Sequence, residues 1–279
     1  MIPTGAIDCH AHVLGPQARF PYPSARPYTP REARVEDYRA MLDRLGFQRA
    51  VLIQPSIYGT DNTCLLTACR ELGLETRAVA VLAPPYDAGY LRDLHAAGVR
   101  GVRLNHEALE ADAIRRLAAA IAPFGWHLQL FVDAPQVEAL LPLLTELPVE
   151  TIFDHLGHVP ASAGVGEPAF QALLKALEQG RCWVKLTAPY RLSAARPRFA
   201  DVAPMVRALY AAAPDRCVWG TDWPHTNTDW APDTPSLLDL LLEWLPDLQA
   251  AGQVLVDNPE RLYGFRSVGI RPPGAGARR

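Results

Sequence analysis

The feature that most constrains this chain is an alternation. Eight times, a short apolar run gives way to a stretch whose apolar residues recur at helical spacing. The runs lie at 6–9, 49–54, 77–82, 101–104, 127–132, 150–153, 182–186 and 217–219. They are near-continuous in aliphatic residues, as expected of strands covered on both faces. The helical stretches lie at 35–45, 62–72, 88–97, 112–122, 136–144, 168–177, 202–212 and 237–245. Several returns to the next strand carry glycine, as in Leu45-Gly46-Phe47 and Phe124-Gly125-Trp126, which suits the left-handed residue that ends a helix. Strictly alternating units require a parallel sheet. Eight of them predict one α/β domain over 1–268, a (β/α)8 TIM barrel. An open doubly wound sheet is the competing layout, but no glycine-rich phosphate loop follows the first strand. The stretch 13–34 has no periodicity, and a loop that long in a compact domain is expected to be functional. Residues 269–279, rich in Gly, Pro and Arg, are expected to be a disordered tail.

Composition narrows the partners. Hydrophobic residues make up 49% of the chain, enough for a large core. Basic residues number 27 against 30 acidic, for a net charge of −3. That is no footprint for nucleic acid. No apolar run approaches the roughly 18 residues of a membrane span. The N-terminus lacks a charged segment followed by an apolar one, so a cytoplasmic protein acting on a small molecule is expected. Five scattered cysteines without a C-x-x-C pair predict neither a disulfide framework nor a structural zinc site.

In such a barrel the chemistry sits at the C-terminal ends of the strands. Polar residues gather there. Strand 1 ends in Asp8-Cys9-His10-Ala11-His12, strand 4 in Arg103-Leu104-Asn105-His106, and strand 6 in Asp154-His155-Leu156-Gly157-His158. Strand 7 carries Lys185 and leads into Tyr190 and Arg191, and strand 8 ends in Thr221-Asp222-Trp223-Pro224-His225. Alternation puts His10 and His12 on one side of their strand, where two imidazoles can bind a metal or polarise an oxygen. Asp222 is placed to take a proton from water. His155 belongs to the same rim, His225 is expected to donate to substrate, and His158 is a further candidate contact. Arg103, alone in an apolar strand, needs an anionic partner, which a substrate carboxylate or an internal acid would supply. Arg191 is the second anion-binding candidate. His95 and His127 read as structural, and His106 is unassigned.

At these residues the chain resembles the amidohydrolase superfamily. Asp8-Cys-His-Ala-His12, Asp154-His155-Leu-Gly157 and Gly220-Thr-Asp222-Trp-Pro-His225 carry the likeness. It extends to Phe20-Pro-Tyr22, Arg26-Pro-Tyr28-Thr-Pro30, Gly101-Val-Arg103 and Asp257-Asn-Pro259. More narrowly, it resembles the branch of amidohydrolase-related lactonases, which includes hydrolases of pyrone dicarboxylates. The resemblance implies a distorted barrel and metal-independent opening of a lactone ring. In that scheme Asp222 activates water, and His10, His12 and His155 polarise the lactone carbonyl; with at least one of the three protonated, they are expected to stabilise the developing oxyanion. Tyr28, Ser56, Arg103, Arg191 and His225 match substrate-contacting positions. Several groups of that branch that would grip a dicarboxylate have no counterpart here. The stretch 105–110 has no arginine, Phe131 stands for a tyrosine, and His158 stands for an arginine. A less cationic pocket is therefore expected, for a carboxylated or sugar-acid lactone. The alternative is a mononuclear zinc hydrolase or decarboxylase with the metal held by His10, His12, His155 and Asp222.

Overall fold

The computed structural model describes residues 2–26, 28–105, 109–228, 230 and 232–267. The expected tail at 269–279 and His106 lie outside the described residues. Eight strands form one sheet in sequence order: β1 (Ile7–Ala11), β2 (Arg49–Ile53), β3 (Glu75–Ala80), β4 (Val99–Asn105), β5 (His127–Phe131), β6 (Thr151–Phe153), β7 (Trp183–Lys185) and β8 (Cys217–Val218). Every neighbouring pair is parallel. The two edges meet beyond β8: the Cys9 N–H donates to Trp219 O at 3.0 Å and the Asp222 N–H to His10 O at 2.8 Å. Ala11 bridges Trp223 in parallel register. This is the expected (β/α)8 barrel, formed by a single domain.

Between the strands run α1 (Val35–Leu45), α2 (Thr63–Glu71), α3 (Ala88–Ala96), α4 (Ala111–Ile121), α5 (Ala134–Leu144) and α6 (Pro168–Glu178). After β7 come a single turn, α7 (Pro189–Leu192), and then α8 (Ala203–Ala212). After β8 come α9 (Thr234–Trp244), α10 (Leu248–Gly252) and α11 (Asn258–Tyr263). Their apolar faces follow helical spacing: α4 buries Ile114, Leu117, Ala118 and Ile121. Side-chain caps start several of them. Glu110 accepts from the Asp112 and Ala113 N–H groups, and Asp233 from that of Ser236. The single turn α7 interrupts what the sequence presents as a plain connection, and it proves to carry site residues.

The barrel interior is apolar at its N-terminal end. Ile7, Cys9, Val51, Ile53, Val79, Ile152, Trp183 and Val218 form one buried cluster with Tyr263 and Phe265 of the C-terminal segment. Above that layer the interior turns polar, with Gln129, Lys185, Asp154 and His10 all fully buried. Strand β1 manages the change by slipping its register between Asp8 and Ala11. Cys9 therefore packs with the apolar layer while the adjacent His10 reaches Lys185. Re-aiming a side chain beside a site is a usual effect of such a bulge. The seam between β1 and β8 is tight. A Cβ at Gly220 would lie 2.3 Å from the His10 backbone nitrogen, so only glycine fits there. Asp8 staples the seam: its carboxylate accepts from Thr221 N (2.8 Å), Thr221 Oγ1 (2.7 Å) and Tyr38 OH (2.9 Å). The aperiodic segment 13–34 is pinned at its base, where Leu14 and Ala33 exchange two backbone hydrogen bonds.

Candidate active site

A cavity of about 670 Å³ opens at the C-terminal ends of the strands. His12, Tyr28, Ser56, Arg103, His155, Arg191 and Asp222 all line it. These are seven of the residues singled out from the sequence. His10 lies fully buried against the floor, its ring centroid 5.1 Å from that of His12 and 4.8 Å from that of His155.

Asp222 is the centre of the floor. Its φ of 55° is left-handed, as are those of His155 (49°) and Ala188 (53°). Such backbones cost about 1–3 kcal/mol each and concentrate at functional sites. The two oxygens of Asp222 have different surroundings. Oδ2 accepts from the Tyr190 hydroxyl and from Arg191 Nε at 3.1 Å. Oδ1 accepts no hydrogen bond and lies 3.6 Å from His10 Nε2 and 3.7 Å from His12 Nε2. Burial alone would raise the carboxyl, but the Arg191 guanidinium, the largest opposing influence, outweighs it and holds it well below the usual carboxylate range.

The histidines are positioned from behind. His12 Nδ1 lies 2.9 Å from Ile53 O, so it is the donor and Nε2 keeps its lone pair. His155 Nδ1 meets Thr187 Oγ1 at 2.7 Å. His10 Nδ1 is 3.1 Å from Lys185 Nζ. Burial pushes His10 down to about 4 and His12 down to about 3, and holds His155 well below its ordinary value. Burial thus favours the neutral form of all three near pH 7.

Beneath them runs a buried polar network. Lys185 Nζ donates to Cys9 O (3.1 Å) and Gln129 Oε1 (2.7 Å). Gln129 Nε2 and Arg103 Nε both donate to Asp154 Oδ2, at 3.0 and 3.1 Å. Burial lowers the Lys185 ammonium to about 8, with Asp154 opposing the shift. Burial would raise Asp154, but Lys185, His10 and Arg103 prevail and keep it ionised. The internal acid that Arg103 requires is thus Asp154, and its guanidinium also stacks over Phe131 at 4.4 Å.

Two expected substrate contacts, His225 and His158, are not among the residues lining this cavity. His225 Nε2 meets Thr234 Oγ1 at 2.8 Å and Nδ1 faces Tyr190 OH at 3.4 Å, beside an adjoining groove. His158 Nδ1 meets Val132 O at 2.9 Å, and its ring packs on Phe131. Conversely, sequence reasoning assigned no role to Tyr190, Lys185 or Gln129. The available signal was a polar residue inside an apolar strand, Lys185 in CWVKL and Gln129 in HLQLF.

In distance, His10, His12 and Asp222 could surround one ion, as could His10, Asp154 and His155. The four-residue zinc set expected from the sequence is thus split between two overlapping clusters. In hydrogen-bond polarity neither cluster fits. A ligating histidine points its lone pair at the metal and donates its other N–H to an acceptor. His12 has that polarity, whereas the far nitrogen of His10 lies nearer the Lys185 ammonium, at 3.1 Å, than the Asp154 carboxylate, at 3.5 Å. The Asp154 carboxylate already has Lys185 at 3.6 Å and Arg103 at 3.1 Å.

Comparison with known proteins gives the same outline. The sequence model of the family described as Amidohydrolase matches residues 7–265. The chain is 36% identical to a 2-pyrone-4,6-dicarboxylate hydrolase of Comamonas testosteroni, over 94% of this chain and 91% of that one. It is also 36% identical to a 4-sulfomuconolactone hydrolase of Rhizobium radiobacter, with the same coverage of 94% and 91%. Among solved structures, a putative 2-pyrone-4,6-dicarboxylic acid hydrolase from Pseudomonas putida superposes with a TM-score of 0.85 at 32% identity. That match covers 95% of this chain and 99% of the other.

Proposed function

The chain belongs to the amidohydrolase family, and from that membership we propose that it is a lactonase. It would hydrolyse the ring ester of a carboxylated or sugar-acid lactone without a metal ion. One observation carries the reading. Asp222 has one oxygen held by Tyr190 and Arg191 and the other turned, unpartnered, toward His10 and His12 on the cavity floor. The relatives named as lactone hydrolases support the substrate class.

The floor suits a water molecule. His10 Nε2–H donates to its oxygen, while Asp222 Oδ1 and His12 Nε2 accept its two protons. The water attacks the lactone carbonyl and Asp222 takes the released proton. His155, with Nδ1 on Thr187, uses Nε2 to reach the carbonyl oxygen as charge develops there. The tetrahedral intermediate collapses with cleavage of the ring C–O bond. The proton on Asp222 passes to the departing ring oxygen, and the carboxylic acid formed releases the second water proton to solvent, leaving a carboxylate. Arg103, which lines the cavity together with Tyr28 and Ser56, receives an anionic substituent of the substrate. Asp154, Lys185 and Arg103 carry no reacting proton.

Acid release from a panel of lactones tests this, using wild type and Asp222→Asn. The panel should include pyrone dicarboxylates, sulfonated muconolactones and sugar-acid lactones. Stoichiometric acid release by wild type, absent in Asp222→Asn, is expected. Conversion of a lactone to an isomeric lactone without acid release would overturn the hydrolytic reading. Loss of carbon dioxide from the substrate would move the chain to the decarboxylase alternative.

A further inference from the structure

We propose that Lys185 is a positioning residue: it holds His10 in the Nε2–H tautomer and thereby makes the floor a holder of water, not of a metal ion. The inference rests on the reading of Asp222 as base to that water. Lys185 Nζ has three acceptors in reach: Cys9 O at 3.1 Å, Gln129 Oε1 at 2.7 Å and His10 Nδ1 at 3.1 Å. An ammonium has three N–H groups, one for each. The orientation of Gln129 is not free, because its Nε2 donates to Asp154 Oδ2 at 3.0 Å and so turns Oε1 toward the lysine. A fully buried ammonium also needs a counter-charge. Asp154 Oδ1 supplies it at 3.6 Å and accepts no hydrogen bond.

The third ammonium proton then points at His10 Nδ1, which must present its lone pair. A neutral imidazole has one proton, so that proton sits on Nε2. Nε2 is the nitrogen that faces Asp222 Oδ1 at 3.6 Å. His12 is wired the opposite way, with Nδ1 on Ile53 O and its lone pair toward the pocket. The floor therefore offers one donor, His10, and two acceptors, Asp222 and His12. That pattern complements a water lone pair and two water protons. It repels a cation at the His10 position, where an N–H group stands in place of a lone pair.

The test needs no substrate, so it is independent of the lactonase assignment. Ring 15N–1H correlation spectra of wild type at pH 7 read the tautomer, with His10 identified by its missing signals in His10→Asn. A protonated Nε2 and an unprotonated Nδ1 are expected. In Lys185→Met the ring is free to donate Nδ1–H to Asp154 Oδ1, which in the present structure already lies 3.5 Å from Nδ1, and Nε2 becomes a lone pair. Zinc affinity of the metal-stripped protein, measured by calorimetry, should then rise about ten-fold or more. Adding His12→Asn should abolish that gain. A protonated Nδ1 on His10 in wild type would overturn the proposal, and so would a folded Lys185→Met that binds zinc no more tightly than wild type. Should Lys185→Met fail to fold, the wild-type spectrum alone decides.

Discussion

Tyr190 donates its hydroxyl to Oδ2 of Asp222, while Oδ1 of the same carboxylate accepts no hydrogen bond. Arg191, the next residue, donates to the same oxygen at 3.1 Å. The one-turn helix α7, entered through the left-handed Ala188, delivers both donors to a residue on the neighbouring strand end. A carboxylate fixed in this way keeps one lone-pair face aimed at a single point in space.

Removing the base while keeping its shape is the simplest consequence. Asp222→Asn should lower kcat by about 10²–10⁴-fold, the range for a positioned general base. Steady-state kinetics with a circular-dichroism check on folding would measure it. Turnover within a few-fold of wild type would remove Asp222 from that role.

Tyr190→Phe removes one donor from Asp222 Oδ2 and leaves the phenyl ring in place. A hydrogen bond to a charged group is worth about 1.5–3 kcal/mol, so kcat should fall roughly ten-fold or more while KM changes little. The lost donor also favours the protonated carboxyl. The acidic limb of the kcat profile should therefore move to higher pH. An unmoved limb with an unchanged kcat would mean that Arg191 alone holds Asp222.

Arg103→Met tests the anion site. Arg103 lines the cavity and stacks on Phe131. Its loss should raise KM for a carboxylated lactone about ten-fold or more. KM for a neutral lactone should change far less. The ratio of kcat/KM for the two lactones, before and after the change, reads the effect. An equal loss for both would make Arg103 solely the partner of Asp154.

Stability should fall steeply on acidification. Burial lowers His10 and His225 to about 4, and His12 and His127 to about 3. In the unfolded chain each takes up a proton near 6.5. Their contribution is thus complete above pH 6.5 and is lost as pH falls toward 4, by about 1.4 kcal/mol per pH unit per group. Asp8 works in the opposite direction. Burial raises it from 3.8 to about 6, so its contribution is present at low pH and disappears as pH rises through 6. One such group does not offset four histidines. Asp154 and Asp222, held well below 3.8, add their own losses only below that pH. Urea midpoints measured between pH 7.5 and 4.5 should drop sharply below 6.5. A flat profile would contradict the buried neutral histidines.

Much of this arrangement was legible in the sequence. The alternation of runs and helical stretches specified the barrel, because both its periods are local. His10, His12, His155 and Asp222 followed from their places at strand ends. Strand edges moved by a residue or two, as at β3, expected at 77–82 and found at Glu75–Ala80, since register is set by neighbouring strands. The hydrogen-bond polarity of the site was not legible. It depends on Lys185, Gln129 and Tyr190, which come from three separate elements and meet their partners only in the closed barrel. The same holds for His225 and His158. The sequence placed them on the rim, but only packing turned their rings to Thr234 and Val132.

The central claim is that Asp222 and neutral histidines open a lactone without a metal. Its most direct test is turnover of a responsive lactone by chelator-treated protein, verified free of metal, while zinc is added from zero to one equivalent. The account predicts full activity at zero zinc and no rise with added metal. Activity that is absent at zero and grows in proportion to bound zinc would contradict it and make His10, His12 and Asp222 ligands.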